Sequence, residues 1–248
     1  MMLSRRTLLI GGAGTLLAGC DKLNNSSGFR EALRGGERLT MRAQRLISSR
    51  EAMAREFSAA DMSPIFRSNG TGNPGTPDYE RLAAGQFSDW RLRVDGLVRR
   101  PLLISLAHLR SMPARTQITR HDCVEGWSAI GKWTGTPLSL ILDGAGLRDE
   151  ARYIVFHCLD RYGDRPYYES IDLIDAFHPQ TILAWGMNDQ LLPIPNGAPL
   201  RLRVERQLGY KHAKYIGRIE ARATLDGLYG GRGGTWEDSN DYEWYAGI

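Results

Sequence analysis

The chain has 248 residues, a formal net charge of +4, and 42% hydrophobic against 24% charged residues. These are the proportions of an ordinary globular protein, with length for one large domain or two small ones. Lys and Arg are scattered rather than gathered in a stripe, so no nucleic-acid partner is expected; the mild basic balance equally suits an anionic cofactor or substrate.

Arg5-Arg6 stand before residues 8–18, an apolar run diluted by Gly11, Gly12 and Gly14. About a dozen residues fall short of the ~20 that a helix needs to span a bilayer. Residues 1–19 therefore read as a signal peptide outside the fold, and the paired arginines point to the twin-arginine route. Leu17-Ala18-Gly19-Cys20 resembles a bacterial lipobox, in which Cys20 is acylated and becomes the mature N-terminus. The expected location is the periplasmic side of the cytoplasmic membrane, held there by lipid. Residues 20–60 are expected to form a polar tether and one or two surface helices, and residues 61–248 the catalytic domain.

Residues 69–77 are dense in Gly, Asn and Pro and predict a loop. Trp90, Leu92 and Val94 alternate with charged residues, the period of a half-buried strand. A short helix is predicted over 102–112, a strand over 117–124, and a helix over 137–142 stopped by Gly144 and Gly146. A buried strand is predicted at 153–156, and a helix capped by Ser170 running to Phe177. Residues 181–185 and 190–192 flank Met187-Asn188-Asp189 as a hairpin. Leu200, Leu202 and Val204 alternate with Arg201, Arg203 and Glu205, and one more strand is predicted over 215–223. The tail, residues 229–248, is expected to wrap the surface. With no repeat and no regular βαβ rhythm, the class is α+β, with mixed sheets and short helices.

Nucleotide-binding glycine loops, a Gly-x-Ser-x-Gly elbow and a His-Glu-x-x-His pair are all missing, which removes several large enzyme classes. The chemistry concentrates in Arg120-His121-Asp122-Cys123-Val124-Glu125-Gly126-Trp127-Ser128. Arg120 and His121 favour a thiolate at Cys123, and Asp122 and Glu125 oppose it. The residues alone leave three readings of Cys123: a functional thiolate, a disulfide partner of Cys158, or an inert buried thiol. His121, Cys123, His157 and Cys158 also offer an alternative zinc or copper site, though not at a usual zinc spacing.

Cys123-Val124-Glu125-Gly126-Trp127-Ser128, followed by Trp133-Thr134-Gly135-Thr136-Pro137, resembles the molybdenum-ligand segment of the sulfite oxidase superfamily. The likeness is to its twin-arginine-exported bacterial branch, which includes methionine sulfoxide reductase catalytic subunits. It runs from about residue 63 to 224, through Phe177-His178-Pro179, Pro195-Asn196-Gly197-Ala198-Pro199-Leu200-Arg201 and Gly209-Tyr210-Lys211-His212-Ala213-Lys214. It implies the sulfite-oxidase-type molybdopterin-binding fold, here without room for a C-terminal immunoglobulin-like domain. It also implies a molybdenum–molybdopterin cofactor with Cys123 as the protein's metal ligand and catalytic centre.

The cofactor's phosphate would then be met by Arg201, Lys211 and Lys214, and its pterin edge by Asn196; His212 lies in the same motif. Asn69 matches loosely a cofactor loop in which Gly70 stands where the family has His. Cys158 falls where the family often carries a small hydroxyl residue beside the cofactor. Arg120, Glu125 and Trp127 are the candidate substrate contacts. The reaction implied is oxygen-atom transfer to or from an S-oxide type substrate, with sulfite oxidation as the alternative. No haem-attachment motif is present, so electrons are expected to pass to or from a separate partner, a membrane haem protein.

Overall fold

The computed structural model describes residues 26–248. The signal segment and Cys20 lie outside the described residues. The chain divides into two compact units, residues 1–49 and residues 50–248. In the first, the described residues form one helix, α1 (Ser27–Ile47), within the one or two expected. Ser26 caps it by accepting from the Phe29 N–H, Arg45 complements its last turn, and none of its residues is buried.

The second unit begins earlier than the sequence boundary at residue 61. Residues 50–60, expected to belong with the tether, are stitched into it. Phe57 N donates to Ile118 O at 2.9 Å, and Ala54 N donates to Gln180 Oε1 at 2.7 Å. Its elements in chain order are α2 (Pro77–Ala84), β1 (Arg91–Gly96), β2 (Leu102–Ser105), α3 (Leu106–Ser111), β3 (Arg115–Asp122), β4 (Ser128–Pro137), α4 (Leu138–Ala145) and β5 (Tyr153–Tyr162). There follow β6 (Arg165–Asp172), α5 (Leu173–Ala176), β7 (Ile182–Met187), β8 (Gln190–Leu191), β9 (Arg201–Arg203), β10 (Ile216–Arg222) and α6 (Thr235–Asn240).

One sheet has the order β2-β1-β10-β5-β6, with β1 and β10 parallel and the other neighbours antiparallel. The other runs β3-β4-β7; β8 pairs with the C-terminal end of β7 and β9 with its N-terminal end. Leu92, Val94, Ile154, Phe156 and Ile219 of the first sheet pack with Leu183 and Leu202 of the second and with Leu138, Ile141 and Leu142 of α4. Successive strand residues face opposite sides, so Ile182 and Ala184 turn the other way. They meet Trp133, Met187, Leu192 and Phe66 in a second apolar cluster. The second sheet is thus covered on both faces, and all three residues of β9 are buried.

Several local expectations change. Residues 102–112 divide into a strand and a helix, because Leu102 and Ile104 pair with β1 and Ser105 caps the helix by accepting from the His108 N–H. The helix predicted over 137–142 continues through Gly144 and ends at Gly146, whose φ of +67° suits glycine. Ser170 is a buried residue of β6, donating to Gly233 O; the cap of α5 is Asp172, which accepts from Asp175 N at 3.0 Å. The hairpin at Asn188-Asp189 forms as expected, with φ values of +50° and +63°.

The tail does more than cover the surface. It inserts α6, whose Glu237 is fully buried against Lys211.

Candidate active site

Cys123 follows the last residue of β3 in a tight loop before β4. Its N–H donates to Trp127 O at 2.9 Å, and Gly126 N donates back to Cys123 O at 3.0 Å. Gly126 has φ +86°, a conformation that a side chain would strain. The loop presents Cys123 to a cavity of about 280 Å³ whose lining includes Asn69, Gly70, Glu125, Asp160, His212 and Lys214. The Cys123 thiol is free, and burial, aided by the Glu125 charge, pushes its pKa up against a backbone hydrogen bond at Glu125 and the Arg201 charge. The neighbours expected to favour the thiolate do not act. Arg120 is exposed and pairs with Asp122 at 2.9 Å, and burial, then Arg201, hold His121 neutral.

Next to this cavity, β9 carries two fully buried guanidiniums over the Trp133 ring, Arg201 at 5.3 Å and Arg203 at 4.3 Å. Arg203 is satisfied. It clasps Glu205 with Nε at 2.8 Å and Nη2 at 2.6 Å, and its Nη1 meets His121 Nδ1 at 3.1 Å. Arg201 is not. Its Nη1 donates to Asn196 O at 3.1 Å, but Nε and Nη2 have no partner, and burial with the Arg203 charge pulls its pKa down to about 9.

Asn196 Nδ2, Asn69 Oδ1, His121 Nε2 and His212 Nδ1 are also buried without partners. His212 Nε2 meets Gln207 O at 3.0 Å and so carries the hydrogen, leaving Nδ1 as an acceptor. Lys214 Nζ donates to the carbonyls of Asn69, Thr71 and Pro195, and burial followed by Arg201 lowers its pKa to about 7.

A buried polar atom without a partner costs ~1–3 kcal/mol, and uncompensated buried cations cost more. Such a gathering of open donors and acceptors with two cations fits a polar, anionic ligand, and molybdopterin with its phosphate has that character. Gly209 helps make the room: a Cβ there would lie 2.4 Å from His121 Cε1, so only glycine lets this turn approach the imidazole.

Of the residues singled out in the sequence, Asn69, Cys123, Glu125, His212 and Lys214 share the cavity. Asn196 and Arg201 are hydrogen-bonded to each other beside it. Lys211 departs from expectation: its ammonium is fully buried between Glu169 and Glu237, at 2.6 Å from the latter, and does not line the cavity. Cys158 sits in the main apolar cluster, not among the lining residues, and forms no disulfide.

Arg120 and Trp127 do not line the cavity either; Trp127 Nε1 donates to Glu125 at 3.0 Å. Trp133 is core. His157 bonds Glu220 at 2.9 Å, and no group of three metal-binding side chains occurs among the described residues, which removes the support for the zinc or copper alternative. The sequence reading missed Asp160, Tyr162, Tyr167, Tyr210, Trp236 and Tyr242, all of which line the cavity. Asp160 follows Cys158 by two on one strand, a spacing that puts both on one face.

Residues 80–227 match the family described as the oxidoreductase molybdopterin binding domain. The chain is 34% identical to a putative protein-methionine-sulfoxide reductase subunit of Azospira oryzae, over 98% of this chain and 86% of that one. It is 38% identical to the protein-methionine-sulfoxide reductase catalytic subunit of Ralstonia nicotianae, over 52% of this chain and 43% of the relative. The sulfane dehydrogenase SoxCD of Paracoccus pantotrophus superposes with a TM-score of 0.51 at 22% identity, covering 55% of this chain and 39% of that one, and shares the sulfite-oxidase-type fold. With a family match over well over half the chain and a relative aligned along nearly all of it, the protein belongs to the molybdopterin-binding oxidoreductases and is a molybdopterin-dependent enzyme.

Proposed function

We propose that this enzyme removes the oxygen atom from a sulfoxide, with the Cys123 thiolate as metal ligand. The observation that carries the direction is the charge of the cavity. Its ionic lining is Glu125, Asp160 and Lys214, and Lys214 already donates to three carbonyls. With Arg201 and Lys214 offsetting the cofactor's own negative charge, the carboxyls of Glu125 and Asp160 are the charges left to meet a substrate, which suits a neutral S-oxide and repels a sulfite anion. The names of the Azospira and Ralstonia relatives support the same reading.

Arg201, through its open Nε and Nη2, would hold the cofactor's phosphate, with the Lys214 charge beside it and no further Lys214 N–H to donate. Asn196 Nδ2, Asn69 Oδ1 and His212 Nδ1 would meet the polar rim of the pterin. When bound, the molybdenum would supply two-electron oxygen-atom transfer. Cys123 gives up its Sγ proton to become a soft ligand. Reducing R–S(=O)–CH3 breaks the S–O bond, consumes two electrons and two protons, and leaves the thioether and water. Asp160 is placed to relay those protons: it lines the cavity, its Oδ1 has no partner, and burial pushes its pKa up to about 6. Electrons come from a separate redox partner, a membrane haem protein. With a reduced dye as donor under anaerobic conditions, methionine sulfoxide is expected to oxidise the dye. Sulfite with an oxidised acceptor is expected to give no turnover, and the reverse pattern would sink the reading.

The protein is further proposed to be exported through Arg5-Arg6 and anchored by lipid on Cys20 at the periplasmic face. No described helix is long and apolar enough to cross a membrane. The helix α1 carries five Arg against two Glu and exposes Leu39, Leu46 and Ile47, a composition suited to an anionic lipid surface beside an anchor. Cys20→Ala is expected to move the protein from the membrane to the soluble periplasmic fraction. Unchanged partitioning would reject the anchor.

A further inference from the structure

One wall of the Cys123 cavity is aromatic. Tyr162, Tyr210, Trp236 and Tyr242 all line it and touch in series. Ring centroids are 4.9 Å apart for Tyr162 and Trp236, 5.8 Å for Trp236 and Tyr242, which lie nearly parallel at 24°, and 5.0 Å for Tyr242 and Tyr210. Trp236 and Tyr242 come from the tail, beyond the family match that ends at residue 227. The tail is fixed from beneath: Glu237, next to Trp236, accepts from the fully buried Lys211 ammonium at 2.6 Å, and Tyr210 Oη donates to Glu243 O at 2.7 Å. Tyr162, at the outer end, is 43% exposed, so the wall reaches from the cavity to the surface.

We propose that this wall binds the methylsulfinyl side chain of methionine sulfoxide carried on a polypeptide, and that the tail thereby sets the substrate of the enzyme. The proposal rests on the sulfoxide-reducing reading above. Aromatic faces are negative and attract the CH3 and CH2 groups beside a sulfinyl, whose hydrogens the S=O group leaves partly positive, so a CH3–S(=O)–CH2 chain can lie on the rings with its reactive oxygen turned away from them. The row of rings gives no cation to an inorganic oxyanion. Its outward reach leaves the peptide backbone outside while the side chain lies toward Cys123. Rings lose little freedom on binding, so such a surface is well suited to recognition.

The test uses metal-loaded holoenzyme and a short peptide carrying one methionine sulfoxide. Trp236→Ala and Tyr242→Ala are each expected to raise KM about tenfold, equivalent to about 1.4 kcal/mol, with kcat little changed. Trp236→Phe should restore the wild-type KM. Molybdenum content should match wild type in all three variants, which separates loss of substrate contact from loss of cofactor. Peptide binding, read by calorimetry without turnover, should weaken in parallel. Unchanged KM and binding in both alanine variants would overturn the proposal. If wild type reduces no sulfoxide, the reading of the preceding section fails by itself. The wall is then judged on binding alone: peptide held by wild type and not by Trp236→Ala upholds it, and equal binding or none rejects it.

Discussion

Cys123→Ser is expected to lower turnover by about a thousandfold or more, roughly 4 kcal/mol in the barrier at about 1.4 kcal/mol per decade, and to reduce molybdenum per chain. A serine hydroxyl is smaller, harder and far less acidic than a thiol, so it makes a poor ligand for a metal already bound by sulfur. A serine hydroxyl can keep the hydrogen bond that the Cys123 side chain takes from the backbone at Glu125, and the rest of the loop is held by the backbone N–H groups of Cys123 and Gly126. Thermal stability without cofactor should therefore stay near wild type. Elemental analysis and dye-linked turnover check the pair of effects together. Full metal content with full activity in Cys123→Ser would remove the assigned ligand.

The largest effect on stability is expected from Lys211→Met. In the native protein one ammonium stands between two carboxyls, and all three side chains are fully buried. Taking away the cation leaves Glu169 and Glu237 facing each other without compensation, and breaking a buried pair in this way costs ~3–5 kcal/mol. The sign of its pH dependence follows from Glu169, whose pKa burial and the Glu237 charge already push well above 4.5. A folded state that holds this proton more tightly than the unfolded chain loses stability as pH rises above 4.5. The deficit of the variant should therefore be smallest in acid and grow toward neutral pH. Urea titration of wild type and variant at several pH values measures it, with Asp189→Asn as a comparison. That substitution breaks an exposed bridge to Lys132 and should cost ~1 kcal/mol or less. A Lys211→Met loss no larger than the Asp189→Asn loss would mean that the triad does not fix the tail.

The elements that the sequence rendered correctly are those whose signal is local. Leu92 and Val94 alternate with exposed arginines, and β1 shows that alternation. Asn188-Asp189 requires two positive φ values in a row, and the chain makes a hairpin there. Residues 102–112 misled because a leucine-rich run satisfies the strand and the helix period alike, and only pairing with β1 decides where one stops. The tail misled for a related reason: glycine, acidic residues and aromatics together look like surface. Glu237 becomes interior only because a lysine 26 residues earlier and a glutamate on β6 are already there to receive it.

The site divides along the same line. By itself the sequence determined the family and with it the class of cofactor, and it marked Cys123 as the candidate ligand, because the collinear motifs that resemble the family are contiguous along the chain. Only the tertiary structure decided which cations remain open. Lys211 and Lys214 are three residues apart and alike in sequence, yet one is neutralised by carboxylates from β6 and the tail while the other faces the cavity. Arg201 and Arg203 are likewise two apart on one strand, yet only Arg203 finds a carboxylate, while Arg201 keeps two nitrogens open. Charge compensation in a buried site depends on which distant segments arrive beside it, and the order of residues along the chain does not encode that locally.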